Sequence, residues 1–148
     1  MSLSEWEANG WLKAHKTSRE EVQNILNIIE RDIKDSEISQ LSNDWKFAIA
    51  YNAALQCATI ALYSKGYKPV RGQNEHYRVI QSLSLTMGDR FSATRDYLNS
   101  CRAKRNISDY DRVGTISNEE VKELTETIRE LLTEVKVWLK NNYLDLYS

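Results

Sequence analysis

The sequence is poor in the residues that break helices. Its 148 residues include one proline, Pro69, and five glycines, a scarcity that points to a helical chain. Cysteine and histidine are scarce too. Cys57 and Cys101 lie far apart, neither has a second Cys or His at metal-ligand spacing, and both read as reduced core thiols. His15 and His76 have no ExxH or HxxxH partner of the kind that builds metal sites in bundles, so neither a metal nor another cofactor is expected. Nucleophilic catalysis by Ser or Cys needs a positioned His base, and nothing in the sequence suggests one. The stretch "GYKPVRG" from Gly66 has two glycines and two cations but neither Walker nor dinucleotide spacing, so it reads as a surface loop.

Net charge of one sign is also lacking. The formal charge is -1, which excludes whole-protein attraction to nucleic acid and makes any anion site local. No window approaches the roughly eighteen apolar residues that a membrane span needs. The opening "MSLSEWEANGWLKAH" carries Glu5 and Glu7 and lacks a long apolar core, so it reads as neither signal nor transit peptide. A cytoplasmic protein with no membrane partner is therefore expected.

What is present suits one globular domain over residues 1–148: 41% of residues are hydrophobic and 28% charged. After a short helical preamble at about Ser4 to Lys13 with Trp6 and Trp11, "TSREEVQNILNIIERDIKD" offers Thr17 or Ser18 as an N-cap. Its Val22, Ile25, Leu26, Ile29 and Ile33 fall on one stripe. A second helix, capped near Asn43 or Asp44 and running to Gly66, has a side of Ala50, Ala53, Ala54, Cys57, Ala58 and Ala61. Small residues at that spacing allow close helix approach and predict the central, most buried helix. A third spans about Asn74 to Met87 and ends at Gly88, and a fourth runs from about Ser92 to Arg105. The last opens on a Ser117/Glu120 capping box and carries Val121, Leu124, Ile128, Leu131, Val135 and Trp138, a seam that asks for a long antiparallel neighbour. With no strand-like alternation of useful length, the expected fold is all-α: an up-down bundle of four main helices plus a short extra one.

At the C-terminal end of the fourth helix and in the loop expected beyond it stands "CRAKRNISDYD", Cys101 to Asp111. Arginine offers a planar fork of donors matched to phosphate and stays ionised, and Asn106 beside Arg105 adds a neutral donor and acceptor. Cations at a helix C-terminus also answer its dipole, and Asp109 and Asp111 offer these arginines carboxylate partners.

The runs "DWKFAIAYNAALQCATIALYSKGYKPV", "EHYRVIQSL", "RAKRNISDYD" and "SNEEVKELTETIRELLTEVKVWL", over about Asn43 to Leu139, resemble the prokaryotic HEPN superfamily. Its members are small helical bundles of toxin–antitoxin and defence systems, fused or paired with nucleotidyltransferases. The family signature of an Arg, a polar residue and, after three more positions, a His maps onto Arg105, Asn106 and Tyr110. The resemblance implies a metal-independent endoribonuclease whose cleft forms between two protomers, where a ribose 2′-OH attacks the adjacent phosphate. Tyr110 departs from the pattern: a phenol ordinarily titrates near about 10 and serves at neutral pH as a hydrogen-bonding group, where a His would move the proton. With that departure, the resemblance implies an RNA- or nucleotide-phosphate-binding homodimer in which Arg105 holds the phosphate, Asn106 assists and Tyr110 orients it. Arg102 and Lys104 would add attraction. The alternative is a non-catalytic module for dimerisation or for docking a nucleotidyltransferase-type antitoxin. His76, at the start of the third helix, reads first as a helix-start residue and second as a visitor to this site.

Overall fold

The computed structural model describes residues 1–72, 74–110 and 114–148, with the backbone alone at 107–110. The chain is mostly helical: α1 (Leu3–Ala8), α2 (Arg19–Asp35), α3 (Asn43–Ser64), α4 (Glu75–Gln81), α5 (Leu83–Met87), α6 (Ser92–Tyr110) and α7 (Asn118–Asn142). Local chemistry sets the helix starts. Ser18 caps α2, accepting from the Glu21 N–H, and Ser117 and Glu120 form the expected capping box on α7.

The cap of α3 is Ser42, one residue before the expected pair, because the two polar residues after it are used across the fold. The Asn43 amide donates to the Ile116 carbonyl (3.1 Å) and to Asn118 (2.9 Å), and Asp44 accepts from the Gly114 N–H (2.7 Å). Gly66, at φ +94°, supplies the left-handed residue that ends this helix.

The small-residue side of α3 is buried throughout, and α3 packs against α2, α4, α5, α6 and α7. The buried apolar side chains of all these helices form one cluster around it. Among the described residues α3 is also the one helix long and apolar enough to cross a membrane, closer to that limit than the sequence suggests, and most of it is enclosed by its neighbours.

Long-range polar contacts fix helix directions. Arg19 at the start of α2 donates to the Leu144 carbonyl beyond α7 (2.7 Å), Glu30 pairs with Lys136 (3.0 Å), and Glu37 pairs with Arg129. Thus α2 runs opposite to α7. Likewise Arg90 meets Glu134 (2.8 Å) and Lys104 meets Glu120, so α6 also opposes α7. The main neighbour of α7, however, is α3, which runs the same way: Asn43 meets Asn118 at one end, and Lys65 lies 6.0 Å from the Trp138 ring at the other. This differs from the expected antiparallel partner. A short loop forces opposite directions only on consecutive helices, and three helices separate these two in sequence.

Three further differences are local. Leu12–Ala14 (β1) and Tyr67–Pro69 (β2) form a small antiparallel pair, with Leu12 opposite Pro69 and Ala14 opposite Tyr67. The helix expected over Asn74 to Met87 is interrupted at buried Ser82, whose hydroxyl donates to the Val79 carbonyl (2.7 Å) in competition with the backbone pattern. A 3-10 turn, Asp89–Phe91, then buries Phe91 ahead of α6. The N-terminal segment is fastened to α4 as well: the Arg78 guanidinium stacks 3.6 Å over the Trp11 ring, and Trp11 meets buried Trp6 edge to face at 5.8 Å.

Candidate functional site

Arg102 and Arg105 stand three residues apart on α6, the spacing that puts two side chains on one helix face. With Asn106 they form one wall of a cleft of about 310 Å³. The opposite wall is the first turn of α4, with Glu75, His76 and Tyr77, and Tyr51 from α3 supplies the floor. The arginines are braced by this surrounding. Arg102 donates through Nε to Asn99 (3.1 Å) and its guanidinium lies 5.3 Å from the Tyr77 ring; that of Arg105 lies 5.7 Å from the Tyr51 ring. Aromatic faces steady a cation by attraction to the ring quadrupole.

Tyr51 is 2% exposed, and its hydroxyl has no hydrogen-bond partner among the described residues. Burial pushes its phenol up to about 12, although Arg102 and Arg105 pull it down. It therefore remains protonated at neutral pH, an O–H donor next to two cations. Every group on the α6 wall and the floor of the cleft offers N–H or O–H. The arrangement suits an anion with several oxygens.

Of the residues singled out in the sequence, Arg102, Arg105 and Asn106 are brought together. Lys104 is not with them. Two positions from Arg102 it falls on another face of α6, pairs with Glu120 of α7, and borders a separate cavity of about 130 Å³ with Tyr97 and Cys101. The Tyr110 side chain lies outside the described residues, as do those of Asp109 and Asp111. Cys57 and Cys101 are both free and buried, and burial raises both thiols, Cys57 to about 12. Among the described residues no three His, Cys, Asp or Glu side chains gather in a way that holds a metal ion.

The structure adds Tyr51, Tyr77 and Glu75 to the cleft lining, and His76, in the first turn of α4 as expected, also lines it. These come from α3 and α4, distant in sequence from α6. One signal was available for Tyr51: with Asn52 it is one of two polar-bearing residues in the otherwise apolar run "FAIAYNAAL". A mostly helical fold with a cationic, aromatic-floored cleft is the class the geometry defines. Compared with family models, curated proteins and solved structures, the chain matches none.

Proposed function

We propose that the chain is a HEPN-like helical protein that binds the phosphate of RNA or of a nucleotide in this cleft, acting in the cytoplasm within a toxin–antitoxin or defence system. One observation carries the reading: Arg102 and Arg105, one turn apart, line one cleft together with His76 and with Tyr51, whose buried hydroxyl has no partner among the described residues. The guanidinium groups and the Asn106 amide donate to phosphate oxygens, and Tyr51 donates from below. The opposed directions of α2 and α7 and of α6 and α7 support the up-down bundle that the resemblance implies.

If the phosphate is cleaved, the 2′-oxygen gives up its proton, forms a bond to phosphorus, and the phosphorus–O5′ bond breaks as O5′ takes up a proton. The arginines would stabilise the extra negative charge on the phosphoryl oxygens. Tyr110 holds the family's proton-transfer position, and His76 is the imidazole that lines the described cleft. The resemblance further implies a homodimer with two α6 ends facing each other. Trp45, 65% exposed beside the Asp44–Gly114 bond at the same end of the bundle, supports a contact surface there.

The test is fluorescence anisotropy with a short single-stranded RNA in a chelator-containing buffer, wild type against Arg105→Ala. Losing a charge-assisted contact of about 1.5–3 kcal/mol weakens binding about tenfold or more and lowers the dependence of log affinity on log salt by about 0.7. Equal affinity and equal salt dependence in both proteins would remove RNA as the ligand, and the same result with a nucleoside monophosphate would remove the reading. Equal and absent cleavage by both would remove only the nuclease step.

A further inference from the structure

A second compartment, of about 160 Å³, adjoins the cleft and shares Glu75 and His76 with it. It is lined by Leu55, Gln56, Thr59 and Tyr63 of α3, Pro69 of β2 and Val79 of α4, which place an aromatic ring and aliphatic groups beside two uncharged polar side chains. Thr59 donates its hydroxyl hydrogen to the Leu55 carbonyl (2.8 Å), which leaves its oxygen free to accept. The Tyr63 ring is held from behind by His15, with centroids 4.5 Å apart.

The geometry points to a nucleotide unit lying across the two compartments, its phosphate on Arg102 and Arg105 and its base beside Tyr63 and Pro69, with the base edge read by Gln56 and Thr59. This rests on the phosphate reading above and names what is attached to the phosphate. The size is appropriate for a heterocycle, since an apolar cavity of about 150 Å³ in another protein takes up a benzene ring. The chemistry is also suitable, because a flat base wants an aromatic or aliphatic face and one or two polar partners at its edge. His76, on the divide, is placed where the sugar would cross.

Isothermal titration calorimetry with ribose 5-phosphate, each of the four ribonucleoside monophosphates and a single-stranded RNA tetramer tests this on the full chain. At least one monophosphate should bind tenfold or more tighter than ribose 5-phosphate. Thr59→Phe, which fills the second compartment, should bring that nucleotide down to the ribose 5-phosphate value and leave ribose 5-phosphate itself unchanged, whereas Arg105→Ala weakens both. Gln56→Leu, a gentler change, should reduce the preference among bases and serves if Thr59→Phe melts early. Competition by the tetramer identifies RNA as the source of the unit, and its failure to compete identifies a free nucleotide. Equal binding of all monophosphates and ribose 5-phosphate would overturn the base compartment and leave the phosphate reading standing. Binding of none would remove both.

Discussion

Replacing Tyr51 by phenylalanine takes one oxygen atom from the floor of the cleft and leaves the ring in place. That hydroxyl is buried without a hydrogen-bond partner among the described residues. An unsatisfied buried hydroxyl costs about 1–3 kcal/mol; the arginines near the ring favour the tyrosine, so the lower end, about 1 kcal/mol, is the expected gain in the ligand-free protein. For 148 residues an unfolding entropy of about 2.1 cal/mol/K per residue gives about 0.31 kcal/mol/K, so Tm should rise by about 3 °C. Binding should move the other way. Loss of a hydrogen bond to a charged phosphate is worth about 1.5 kcal/mol, close to a tenfold loss of RNA affinity. Because the phenol is held at about 12, neither effect should change between neutral and mildly alkaline pH. Scanning calorimetry without ligand and anisotropy with RNA read the two quantities. A Tm that falls by about 3 °C would mean that the hydroxyl has a structural role, and unchanged affinity would mean that it does not face the ligand; either result refutes the reasoning. Greater stability with weaker binding is the mark of a group kept for function.

Other outcomes rest on the same geometry. Lys104→Ala should leave RNA affinity within about twofold of wild type, since Lys104 is engaged by Glu120 away from the cleft; a tenfold loss would place it in the site. Ala58→Leu, on the fully buried side of α3, should cost about 1–3 kcal/mol by overpacking, read in urea denaturation. Burial raises the Glu21 carboxyl, but hydrogen bonds from Thr17 and His15 and the charges of His15 and Lys68 outweigh it and hold it below the usual carboxylate range. Its folded value being depressed, the stability it adds is present above its ordinary unfolded value and is lost as pH falls through the folded one. Tm against pH should therefore flatten on the acid side in Glu21→Gln, and an unaltered acid limb would contradict this.

Two of the caps were legible because they are local: Ser18 needs only the Glu21 N–H, and Ser117 only Glu120, whereas Ser42 was hidden by the polar pair after it. The burial of α3 was legible from its alanines, and the arginine face of α6 from a spacing of three. The position of Lys104 comes from the same helical period, which sets it on a different face from Arg102 and Arg105. What could not be read is mainly non-local. Nothing in "WLKAH" alone marks a strand until Tyr67–Pro69 pairs with it, and the shared direction of α3 and α7 is set by contacts at both their ends; the Ser82 break is local, but it depends on which carbonyl the hydroxyl takes. Tyr51 and His76 join the site only through packing, so no spacing in the sequence connects them to Arg105.

A cleft wall hung on a strand from the other end of the chain moves when that strand moves. Strand β2 leads into α4, which carries His76, and both are held by the N-terminal segment, β2 through Leu12–Ala14 and α4 through the Trp11–Arg78 stack. Both also pack on α3, and α4 on α6, with Leu12, Val79 and Ile80 in the core, so the N-terminal segment is a second anchor added to the one the helices supply. Residues 11–14 thus brace the cleft wall from outside the helical bundle, and weakening that brace should be felt in ligand residence time as well as in stability.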